Sequence, residues 1–188
     1  MMRSLALSLF LALIPGAAFA QTIAASQGRL DIVGQAPNAC VISSAGSAAG
    51  ANAVFRSLNA GAAEVRITEM IDPQTSTARA SSINILLPII CNGAHRLVLT
   101  SGNGGLLRDG GSTASSPGGF REFVPYQVSA VWSGQTAARS SDTGPMVINV
   151  RDGAAGDASV TIDVPGGGAP LIAGGYSDAV VIELQVEN

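Results

Sequence analysis

Apolar and polar positions alternate with a period of two through much of the chain, and helical periodicity is almost absent. The clearest pattern is the last. Val180, Ile182, Leu184 and Val186 alternate with Val181, Glu183, Gln185 and Glu187. Successive side chains of an extended strand point to opposite faces, so this segment predicts a strand with one apolar and one mostly polar face. Residues 158–164 repeat the idea, with Val160, Ile162 and Val164 on one face and Thr161 and Asp163 on the other. Tyr126, Val128, Ala130 and Trp132 form a third apolar face. Further strands are predicted at 40–43, 53–55, 83–90, 96–100 and 145–150, while 59–70 admits a short helix. Glycine-rich clusters separate them, among them Ser101-Gly102-Asn103-Gly104-Gly105, Asp109-Gly110-Gly111 and Pro165-Gly166-Gly167-Gly168. Glycine supplies the positive φ that tight reversals need. Many short strands with such turns point to an all-β sandwich.

Two segments stand apart. Near the start, Ala24, Ser26, Gly28, Leu30 and Ile32 alternate with Ala25, Gln27, Arg29 and Asp31, a strand-like stretch lying before the first cysteine. At the far end the sequence stops directly after its best amphipathic strand, with nothing following to pair with that strand's other edge. An open apolar edge is a template for another chain, and a detached strand is what such an edge accepts.

The first twenty residues follow a different logic. Arg3 precedes an apolar run from Leu5 to Ile14, then Pro15-Gly16, then Ala18-Phe19-Ala20. This is the charged, apolar and small-residue order of a cleavable secretory signal. The run is shorter than the ~20 residues that span a bilayer. Residues 1–20 are therefore expected to be removed, leaving an exported protein without an integral membrane segment. In that compartment two cysteines, Cys40 and Cys91, read as a disulfide.

Composition narrows the function. The chain has 188 residues, enough for one domain, with 47% hydrophobic and only 12% charged residues. Its formal charge is −3 and it contains no lysine. With no basic patch, nucleic acid is not expected as a partner. Catalytic signatures are sparse. His95 is the only histidine, so no zinc-type cluster is expected, and no G-x-S-x-G elbow presents a serine. Asp152 and Asp157 read as turn aspartates, since their spacing lacks the alternating ligands of a calcium loop. Trp132, at the end of an alternating strand, reads as core. No enzyme activity and no cofactor are expected.

Four stretches together carry a resemblance. They are Pro170-Leu171-Ile172-Ala173-Gly174-Gly175-Tyr176-Ser177-Asp178 before the final strand, Cys40 entering the domain with Cys91 closing a strand, Ser101-Gly102-Asn103 with Arg108, and Val124-Pro125-Tyr126-Gln127-Val128. Covering most of residues 30–188, they resemble the spore coat protein U domain family, shared with subunits of archaic chaperone–usher pili. The resemblance implies an immunoglobulin-like β-sandwich lacking its final strand (residues 37–188) behind an N-terminal donor-strand extension (21–36). A periplasmic chaperone would fill the open groove first. At an outer-membrane usher, the N-terminal strand of a neighbouring copy or related subunit would then replace it. Carried onto this sequence, Ala24, Gly28, Leu30 and Ile32 form the inserting face. Val180, Ile182, Leu184 and Val186 line the acceptor groove. Such head-to-tail insertion does not close on itself and builds a fibre. The expected function is thus a structural subunit of a surface pilus, passing through the periplasm to the cell surface. The competing expectation is a self-contained, non-enzymatic, adhesin-like module at the cell surface.

Overall fold

A computed structural model describes residues 31–43, 47–59, 61–114 and 117–187. The expected signal, residues 1–20, and the expected donor positions Ala24, Gly28 and Leu30 lie outside the described residues. The chain divides into two compact units, 1–35 and 36–188. In the first, the described residues 31–35 form no regular element, and Ile32 is 90% exposed.

The second unit is all-β. Among the described residues it contains strands and two short 3₁₀ turns but no α-helix, and no helix long and apolar enough to cross a membrane. The larger sheet is built on β5 (Ser81–Cys91). Two short strands, β1 (Cys40–Ile42) and β2 (Ala48–Ala51), pair with one side of β5 at its two ends. On its other side follow β12 (Ala154–Val164), β9 (Gln127–Trp132) and β10 (Gln135–Ser140). The second sheet has the order β11 (Met146–Val150), β6 (His95–Ser101), β14 (Val180–Val186). A small sheet joins β13 (Tyr176–Ser177), β7 (Leu106–Arg108) and β8 (Phe123–Val124). Every ladder is antiparallel.

The period-two pattern explains the packing. On β5, Ile83, Ile85, Leu87 and Ile89 all turn inward and are buried. So do Ala158, Val160 and Val164 on β12, and Val128, Ala130 and Trp132 on β9. Leu97, Leu99, Met146 and Ile148 answer from the second sheet, and one hydrophobic core fills the space between. Each such aliphatic side chain contributes about 1.5–3 kcal/mol through removal from water. Pro88 sits inside β5 without breaking the sheet. Its C=O accepts from Ser43 N–H and Leu86 N–H donates to Ser47 C=O, in the interval where the chain leaves β5 between β1 and β2. The N–H that proline lacks would have faced that gap, so no ladder bond is lost.

One expectation is corrected. The described residues of 59–70 are not helical: β3 (Ala53–Asn59) and β4 (Ala62–Ile67) form a hairpin. The turn is set by Asn59, whose side chain accepts from Gly61 N–H at 2.9 Å. β-branched Val65 and Ile67 then pack their half-buried side chains on the core.

Cys40 and Cys91 are bonded and face each other across the β1–β5 ladder, 51 residues apart in sequence. The bond pins three-residue β1 to eleven-residue β5. Replacing both cysteines by alanine is expected to cost about 2–5 kcal/mol, chiefly by releasing the unfolded chain. Urea denaturation checks this, with a lower midpoint expected; an unchanged midpoint would refute it.

Candidate functional site

The candidate site is the free edge of β14 and the face behind it. On one side β14 pairs with β6 along its whole length, Val180 opposite Ser101 to Val186 opposite His95. Among the described residues no strand pairs with its other side. The ladder fixes which groups face that edge. Gly102 N–H donates to Ala179 C=O at 2.7 Å, and Glu187 N–H to Ala94 C=O at 2.9 Å. Both bonds belong to odd-numbered residues of this segment. Hydrogen-bonded pairs alternate in an antiparallel ladder, so Val181, Glu183 and Gln185 face β6 with their backbone groups. The even residues Val180, Ile182, Leu184 and Val186 present N–H and C=O to the open edge.

The same even residues carry the apolar side chains. Val180, Ile182 and Leu184 pack against the core yet stay half-buried, and Val186 is 41% exposed. On β5 the equivalent face is fully covered. One row of residues thus combines unpaired backbone with incompletely covered apolar surface. Charged Glu183 and exposed Val181 lie on the outer face.

Polar ties hold both ends of this strand. At its start the Asp178 carboxylate accepts four hydrogen bonds. Tyr126 Oη donates to Oδ2 at 2.6 Å, and Ser101 Oγ donates to the same oxygen. The backbone N–H groups of Asn103 and Ala179 each donate to Oδ1 at 2.8 Å. Tyr126 is positioned for this by buried Ser141, whose Oγ accepts from Tyr126 N–H at 3.0 Å and donates to Gly104 C=O at 2.7 Å. At the other end Asn38 Nδ2 donates to Glu187 C=O at 2.6 Å. Asn92 fixes the approach to β1: its Oδ1 accepts from Ala39 N–H at 2.6 Å and its Nδ2 donates to Pro37 C=O at 2.8 Å. The edge strands β1 and β14 of the two sheets therefore approach each other beside the disulfide.

His95 is fully buried, and both ring nitrogens are engaged. Trp132 Nε1 donates to His95 Nε2 at 2.8 Å, and Nδ1 lies 2.8 Å from Gly93 C=O. An indole can only donate, so Nε2 is the acceptor and Nδ1 carries the proton. The two sulfurs and a ring nitrogen of His95 lie within 4.8 Å of one another. The sulfurs are spent on their mutual bond and the imidazole lone pair on Trp132, so this trio has no donor free for a metal ion. Trp132 is 2% exposed and belongs to the core. Asp152 is exposed in the turn between β11 and β12, and Asp157 is exposed on β12 opposite Pro88.

The four residues expected to line an acceptor groove lie on one strand, β14, and the two cysteines are joined. Of the residues expected to form a donor strand, only Ile32 lies among the described residues. The Asp178 tie was missed by residue-level reasoning, although Tyr176-Ser177-Asp178 stood out as a motif. An aspartate two residues before an apolar strand was the available signal, since a carboxylate there must find donors. Compared with protein-family models, curated proteins and solved structures, the chain matches none.

Burial raises the Tyr126 phenol above its usual value, and the bond to Asp178 adds to this. Burial also raises Tyr176. A raised folded-state pKa means full stability below the unfolded value of about 10 and loss of stability as pH rises beyond it. Tyr126→Phe is expected to cost about 1.5–3 kcal/mol at neutral pH, the worth of a hydrogen bond to a charged group. It should also flatten the stability loss above about pH 10. Denaturant melts of both proteins across that range check it; parallel pH profiles would refute the assignment.

Proposed function

We propose that the chain is a structural subunit of a surface pilus, assembled by donor-strand exchange along the chaperone–usher route. The observation that carries this reading is β14, where unpaired backbone and half-covered apolar side chains fall on the same even residues. A strand laid along that edge would satisfy Val180, Ile182, Leu184 and Val186 in both respects. The resemblance of the Pro170–Asp178 run, the cysteine placement and the Val124–Val128 strand to spore coat protein U domains supports the same reading. In it, the segment carrying Ala24, Gly28, Leu30 and Ile32 is the donor for a neighbouring copy, and a periplasmic chaperone occupies the edge before assembly. The route takes the exported chain through the periplasm to the cell surface, with an outer-membrane usher as the second partner. The reading assigns no catalytic role to any residue.

Deleting residues 21–35 tests this. The shortened chain is expected not to polymerise, while a synthetic peptide of residues 21–35 binds it and raises its melting temperature. At a hundred times its dissociation constant the peptide would add about 2.7 kcal/mol. Replacing Ile182 by aspartate should abolish that gain. A shortened chain that still polymerises, or melts identically with and without peptide, would sink the proposal in favour of a self-contained surface module.

A further inference from the structure

The outward face of the larger sheet carries a second feature, independent of β14. At one end of that sheet a row of side chains runs in register across five neighbouring strands. Ala51 lies opposite Ser82, Ser82 opposite Asp163, Asp163 opposite Gln127, and Gln127 opposite Ser140. With strands ~4.8 Å apart, the row is roughly 19 Å long. It forms the floor of an open depression of about 550 Å³, walled by Pro125, Val164 and Pro165. We propose that this trough binds a neutral glycan chain laid across the strands.

Three properties of the lining select that ligand class. Charge comes first. Asp163 is the only ionisable side chain among the lining residues, so no cation is there to hold a phosphate, a nucleic acid or an acidic polymer. Next is the division of surface, mostly apolar walls with a few polar groups in the floor. A sugar ring has the matching division, C–H groups on its faces and hydroxyls around its rim. Third, two of the floor's hydroxyls are already ordered. Ser82 Oγ donates to Asp163 Oδ1. At the other end of the row Ser140 Oγ donates to Asp142 Oδ1 at 2.5 Å. Ordering before binding lowers the entropy cost of association.

The rim is equally fixed. Asn52 adopts a left-handed backbone, φ 54°, between β2 and β3. Its Nδ2 donates to the Glu69 and Ala80 carbonyls, and its Oδ1 accepts from Thr68 Oγ1 and Glu69 N–H. Ala51 and Ala80, on either side of the trough's end, are thereby clamped together. The backbone of β5, β12 and β9 beneath the trough is consumed by ladders on both sides, so peptide strand addition is unavailable there.

Amide chemical shifts of the isotope-labelled full chain, disulfide closed, test the proposal. Separate titrations would use cellotetraose, maltotetraose and mannotetraose, with inorganic phosphate and butylammonium as comparison probes. At least one neutral glycan is expected to give saturable shifts at Ser82, Gln127, Ser140 and Val164. Gln127→Ala, a change at an exposed side chain, should weaken that binding about tenfold at unchanged melting temperature. The proposal is overturned if no glycan saturates the trough, if butylammonium alone does, if shifts cluster elsewhere, or if Gln127→Ala binds as tightly as the parent. None of these results depends on strand exchange at β14, which lies in the other sheet.

Discussion

An antiparallel strand has two rows of backbone groups, and among the described residues only one row of β14 is paired. The parity of the β6–β14 ladder sends the second row, on Val180, Ile182, Leu184 and Val186, toward an edge with no described partner. Because side chains of one parity share a face, the same residues carry the strand's apolar surface. The two unmet needs coincide residue for residue. A bulge or a polar residue at Ile182 would have separated them and blunted the edge, as sheet edges commonly are. Here the ladder register runs without a bulge and the edge is apolar.

Such an edge is workable only if the strand is held by other means. Asp178 gathers donors from Tyr126 just before β9, from the end of β6 and from the following loop, while Asn38 reaches Glu187 from beside the disulfide. These ties fix the two ends of β14 and leave its middle to the β6 ladder and to packing. The disulfide contributes beside the strand's far end, keeping short β1 on β5 where few ladder bonds would hold it. The geometry of the open edge thus depends on polar contacts distant in sequence, Tyr126 with Asp178 and Asn38 with Glu187 among them.

The long strands were legible because their inward faces are buried, and burial is what enforces strict alternation. β9 and β12 follow this rule, and their apolar positions fall where the period-two reading puts them; β5 was legible as an apolar run, and β14 keeps its alternation although its apolar face is only half-covered. β10, with the sequence Gln135-Thr136-Ala137-Ala138-Arg139-Ser140, is an edge strand whose side chains are half-buried at most, so little hydrophobic signal marks it. β2, β7 and β13 are too short for a periodic pattern. Residues 62–67 were ambiguous because Ala-Ala-Glu-Val-Arg-Ile suits helix and strand alike, and pairing with 53–59 decided between them. Side-chain relations fared differently. The cysteine pair followed from number and compartment. The indole–imidazole bond of Trp132 and His95, and the row from Ala51 to Ser140, arise from cross-strand register, which no local window of sequence contains.

Amide hydrogen exchange along β14 bears most directly on this picture, since it reads each N–H separately. Val181, Glu183 and Gln185 should exchange slowly, bonded to β6. Val180, Ile182, Leu184 and Val186 should exchange much faster in the isolated protein. Uniform protection along the strand, at the level of β5, would mean that the edge is already paired, and would contradict the account.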